Sequence, residues 1–191
     1  MEGYIDFLNT VMDSYELDKK RPSLSKKNVA VIDDLMSGQK ESWKTEVNGE
    51  NGEILIVEIY VLKEKDGVLK PGVCYEYSQN GEASLKKDCK AAEVNALNHH
   101  DDPFGLRIGD FCSLRAINSL LLELRLEDKE NGFAVDLFLE NRHQKSNEAW
   151  VKPAESNTVY AIQDGLAEGF VVIEEQRIEI FGSVTQQHSW L

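Results

Sequence analysis

Hydrophobic and polar positions along this chain change period several times, and each change predicts a different element. Tyr4, Ile5, Phe7, Leu8, Val11, Met12 and Tyr15 recur three and four residues apart, which is one stripe of an amphipathic helix. Glu2, Asp6 and Asp13 take its opposite side. The run DKKRPSLSKK contains Pro22 and reads as a connector. A second, short helix is expected from Ser25 as N-cap, turning Val29, Ile32, Leu35 and Met36 inward and ending at Gly38.

From residue 41 the period drops to two. ESWKTEV and EILIVEIYVLK flank N-G-E-N-G, the signature of two strands and a tight hairpin. Residues 54–62 are apolar on both faces except for Glu58, as in a strand covered on both sides. The EKDG turn leads to a third strand around Gly72–Ser78, with Pro71 at its start and Asn80-Gly81 turning the chain again. Leu85, Cys89, Ala92 and Ala96 then fall at helical spacing and predict a central helix over 84–98. Further on, Leu120, Leu122, Leu124 and Leu126 alternate with Glu123, Arg125 and Glu127. Across DKENG, Phe133, Val135, Leu137 and Leu139 alternate again. Residues 141–157 read as a long polar loop. TVYAIQ, FVVIEE and RIEIFGSV read as further antiparallel strands, DGLAEG as a loop between them, and the tail TQQHSWL carries no strong signal.

The expected fold is therefore α+β: a largely antiparallel sheet with an N-terminal amphipathic helix, a second short helix and a central helix packed on one face. At 191 residues the chain suits one globular domain over 1–191. Its expected parts are a helical N-terminal part (1–37), a strand meander (41–78), a helix (84–98) and antiparallel strands (119–182).

Charge narrows the partners. A formal net charge of -13, spread along the chain without a block, repels phosphate backbones and anionic membranes. It suits instead the steering of a basic protein partner. Cys74, Cys89 and Cys112 form no C-x-x-C and no even framework, and the N-terminus lacks the pattern of a signal peptide. No apolar run approaches the length of a membrane span, so a cytoplasmic location is expected. Trp43, Trp150 and Trp190 lie in the polar settings ESWKTE, NEAWVKP and QHSWL and are candidate partner-binding anchors. The first helix is also a candidate seam for a homodimer.

The order helix, three strands, helix, two strands over residues 1–141, together with the acidity, loosely resembles the small acidic chaperones of type III secretion. The likeness is one of element order and charge and includes no motif. It implies a dimerising, chaperone-like protein with an amphipathic first helix. Acidic toxin-neutralising immunity proteins share the same physical profile. The first functional expectation is accordingly an acidic cytoplasmic protein-binding module of inhibitor, immunity or chaperone type, without catalysis.

Candidate chemistry concentrates in NHHDDPFGLRIGDF, residues 98–111. The chain has no P-loop, no dinucleotide fingerprint, no nucleophile elbow, no H-E-x-x-H and no calcium-loop pattern. His99 and His100 are adjacent, so on a helix they point about 100° apart and do not clasp one ion. Ligands from elsewhere, such as His143, His188 or Asp88, would have to be supplied by the fold. No metal and no cofactor are predicted. The stretch reads first as a helix end followed by a crossing, with Phe104, Leu106 and Ile108 re-entering the core. The alternative function is a small-molecule-binding protein or hydrolase whose site lies in the cup of a curved sheet near Asn98–Phe111. His99, His100, Asp101 and Asp102 would stand at its rim with Cys112 deeper. Cys112 and His143, oriented by Asp110 or Asp136, would be the nucleophilic pair in that case.

Overall fold

Alternation of period two runs through nearly every stretch of the computed structural model, which describes residues 35–82, 85–97, 105–117, 121–140 and 158–190. The elements are β1 (Lys40–Gly49), β2 (Glu53–Lys63), β3 (Leu69–Gln79), β4 (Leu85–Lys90), β5 (Val94–Leu97), β6 (Gly105–Ile108), β7 (Cys112–Ala116), β8 (Leu121–Asp128), β9 (Phe133–Glu140), β10 (Thr158–Ile173) and β11 (Gln176–Trp190). All belong to one antiparallel sheet in the order β4-β3-β2-β1-β11-β10-β9-β8-β7-β6-β5. Two meanders, β1 to β4 and β5 to β11, are joined where Glu41–Gly49 pairs with Trp190–Gly182.

This order explains the shape. β4 and β5 are the two edge strands, yet only residues 91–93 connect them. Edges so joined cannot lie at opposite ends of a flat sheet, so the sheet curls into a half-barrel. The connection is tied on both sides: Ala91 N–H donates to the Pro71 carbonyl (3.0 Å) and Gly109 N–H to the Glu93 carbonyl (2.9 Å). The inner face carries the core, including Val47, Leu55, Val57, Ile59, Val73, Leu114, Leu124, Leu137, Val171 and Val184.

The α+β expectation is overturned: among the described residues there is no helix. The segment expected as a central helix over 84–98 forms β4 and β5 instead. Its helical stripe held one large apolar side chain, Leu85, beside Cys89, Ala92 and Ala96, too little burial to hold a helix. Pairing with Gly72–Tyr77 satisfies the backbone groups along the β3 edge and decides the matter. The likeness in element order to secretion chaperones depended on that helix and goes with it. The two helices expected within 1–37 lie almost wholly outside the described residues, although Gly38 does take the left-handed conformation (φ 88°).

Two more segments depart from expectation. DGLAEG is no loop but the middle of β10, where Gly165 follows a register shift after Ile162. The tail TQQHSW is the outer half of the β1–β11 pairing. The hairpins over 40–79 and 121–140 form where the alternation placed them. No helix of the described residues is long and apolar enough to cross a membrane.

Candidate ligand site inside the curled sheet

Strand parity puts polar side chains inside. On β1 the buried, inward positions are Glu41, Trp43, Thr45 and Val47; on β11 they are Gly182, Val184, Gln186 and His188. The register sets Trp43 opposite His188 and Thr45 opposite Gln186. The Trp43 ring stacks on the His188 imidazole, with centroids 4.7 Å apart and planes 11° from parallel. His188 Nε2 lies 2.7 Å from Glu41 Oε1, and both residues are 0% exposed.

Beside this pair, Gln186 is 1% exposed and neither its Oε1 nor its Nε2 has a hydrogen-bond partner. The Tyr77 hydroxyl, on the same inner face of β3, is a second buried group without one. Buried polar groups are nearly always hydrogen-bonded, and each one left bare costs about 1–3 kcal/mol. Burial, and then the nearby Glu53 charge, push the Tyr77 phenol up from its ordinary value, so it is neutral at physiological pH. No lysine or arginine is buried among the described residues.

A second polar cluster closes the curl. Asp128, at the end of β8, accepts from Tyr75 Oη (2.8 Å), Asn131 Nδ2 (2.8 Å) and Cys89 Sγ (3.2 Å). Above it a cleft of about 520 Å³ is lined by residues that include Lys87, Lys90, Phe111, Asp128 and Lys129. On the outer face, Tyr60 Oη donates to Asp88 Oδ1 (2.8 Å) and Lys90 Nζ bonds both groups. These groups are satisfied by one another.

Of the residues singled out from sequence, His99, His100, Asp101, Asp102, His143 and Trp150 lie outside the described residues. Trp190 is the last residue of β11, opposite Glu41. Trp43 is a core residue at 1% exposure, its side chain turned away from solvent. Cys112 is buried in β7, and burial pushes its thiol well up, away from the thiolate that nucleophilic attack needs. Cys89 is pushed up to about 12 by burial and by Asp128. Cys74 is pushed up to about 11 by burial and by Asp88. Asp110 is exposed and paired with Arg107 (2.5 Å), and Asp136 is 3.4 Å from Arg125. No group of histidine, cysteine and acidic residues placed to hold a metal occurs among the described residues.

Sequence reasoning missed Glu41 and Gln186, and considered His188 only as a distant metal ligand. Their signal was hidden because inward and outward positions in ESWKTE and TQQHSW are both polar.

No protein-family model and no curated protein matches the sequence. Among solved structures the fold is similar to that of a protein provisionally designated AttH from Nitrosomonas europaea, with a TM-score of 0.54 and 9% identity. The match covers 80% of this chain and 50% of that one, so the chain spans about half the length of that protein. At this identity the likeness is one of fold alone.

Proposed function

We propose that the protein binds a small molecule against the inner face of its curled sheet, with Gln186 and the Glu41–His188 pair as the polar contacts. The observation that carries this reading is the bare Gln186 amide. A chain gains nothing from burying an amide whose oxygen and nitrogen both go unused, unless something else supplies their partners. The setting fits a ligand site: an apolar concave surface, here Val47, Val57, Val184 and the Trp43 ring, with a few polar groups set close together. This is the cup of a curved sheet, at β1 and β11.

The test is saturable uptake of Nile red, an uncharged apolar dye, followed by fluorescence. Val184 is fully buried and two residues from Gln186 on the same face, so Val184→Trp places a bulky ring beside the amide and would obstruct a ligand there. Uptake by the parent protein and its loss in Val184→Trp, with the far-ultraviolet circular dichroism unchanged, is the expected result. Equal uptake by both proteins sinks the reading.

Charge-steered recognition of a basic protein is the second reading, supported by the net charge of -13. Trp43, being buried, does not serve it as an exposed anchor. Its test is co-purification of a stoichiometric basic partner that high salt releases.

A further inference from the structure

The inner face restricts the chemistry of what can lie against it. The buried acids among the described residues are Glu41, Glu53, Glu123 and Asp128. Glu123 belongs to the outer face, where Arg115 (2.7 Å) and Arg125 (2.9 Å) neutralise it. Glu41, Glu53 and Asp128 share the inward parity, and among the described residues no buried lysine or arginine accompanies them. Among the described residues the one buried group on this face able to carry positive charge, His188, is already bonded to Glu41. A carboxylate ligand would therefore add an acid with no buried lysine or arginine to meet it, an expensive transfer.

Hydrogen-bond valence narrows the class further. The Gln186 amide presents one acceptor and two donors side by side. A carboxylate would accept from Nε2 but give nothing to Oε1. An ammonium would donate to Oε1 but leave the Nε2 hydrogens bare. A single hydroxyl can both donate and accept but cannot lie in line with both atoms. An edge with an adjacent donor and acceptor meets them with two parallel bonds, and the neutral Tyr77 phenol, on the same face, asks for no charge either.

Building on the interior-binding reading, we infer that the ligand is an uncharged molecule with a carboxamide or lactam edge on an apolar body, the edge pairing with the Gln186 amide.

The experiment compares three probes of equal chain length, decanamide, decanoate and decylammonium, as competitors of Nile red at neutral pH. Decanamide should compete at least about tenfold more tightly than either ion, the penalty for leaving buried polar groups unpaired. That preference should vanish in Gln186→Leu and in Gln186→Met, two variants of similar volume that cover a folding failure in either one. Decanoate or decylammonium competing as well as decanamide overturns the ligand class while leaving interior binding intact. Competition by none of the three, with Nile red still bound, does the same. A decanamide preference that survives in both variants overturns the assignment to Gln186. Failure of Nile red itself overturns the interior-binding reading and this inference with it.

Discussion

The Tyr75 hydroxyl donates to Asp128 Oδ2 at 2.8 Å although the two residues are 53 positions apart and their strands, β3 and β8, are not neighbours in the sheet. The Tyr75 ring also stacks on Phe133, with centroids 4.2 Å apart and planes 2° from parallel. The contact spans the inside of the curl, from one meander to the other. It does what no backbone ladder does here, since β4 and β5 meet only through their three-residue connection.

Removing that donor should loosen the curl. Tyr75→Phe keeps the ring and its stacking but takes one hydrogen bond from a buried carboxylate, a loss of roughly 1–3 kcal/mol. Urea denaturation measures it. Combined with Asp128→Asn in a double-mutant cycle, the two losses should be non-additive, because each removes the same contact. Strict additivity would show that the bond carries no energy.

Asp128 also sets an expected acid sensitivity. Burial pushes its carboxyl up, but the hydrogen bonds from Tyr75, Asn131 and Cys89 outweigh burial and hold it below the usual carboxylate range. A carboxyl lowered in the folded state contributes stability that is fully present above its unfolded value, near about 3.9. That contribution is lost as pH falls through the lower folded value. Urea midpoints measured from neutral pH down into this range should therefore fall in the parent protein and fall less in Asp128→Asn. Parallel profiles for the two proteins would refute the linkage.

How far the sequence revealed this fold depended on whether polarity alternated with the strand. Leu122, Leu124 and Leu126 against Glu123, Arg125 and Glu127 could be read directly, and so could Phe133 to Leu139. Asn80-Gly81 marked its turn, and both residues have positive φ (52° and 75°). Residues 85–97 misled because Leu85, Cys89, Ala92 and Ala96 fall at helical spacing although, Leu85 apart, that stripe carries only small side chains. What decided them was the free edge of β3, a tertiary fact that no local pattern encodes. The β1–β11 site was hidden for a different reason. In TQQHSW the inward Gln186 and His188 are as polar as their outward neighbours, so that half of β11 carried no strand contrast, and in the strand that was legible, β1, nothing marked Glu41 as inward. Local rules tend to fail where a fold places function.

Gly169 lies within DGLAEG, expected as a loop, and β10 needs a glycine at this position. Its φ of 152° suits glycine, and a Cβ there would stand 2.0 Å from the Asp136 carbonyl oxygen of β9. That neighbour is backbone, held by the β9–β10 ladder, and cannot swing aside. Gly169→Ala should cost roughly 3 kcal/mol from strain and overpacking together. Thermal or urea unfolding checks it. A change of only a few tenths of a kcal/mol would mean that β9 and β10 separate more easily than their pairing implies.

Gln186 should show opposite effects on stability and binding. In the unliganded protein its amide is buried and bare, so Gln186→Leu, nearly equal in volume, removes a desolvation penalty. The variant should be more stable than the parent by about 1 kcal/mol. A group kept for packing alone would have been replaced by such a residue at no cost; a group kept for a ligand is held at the expense of stability. The same variant should lose the decanamide preference described above. Urea denaturation of the unliganded proteins is the decisive measurement. A marked loss of stability in Gln186→Leu would mean that the amide is satisfied in solution, through ordered water or a shifted side chain, and would remove the ground for placing a ligand there.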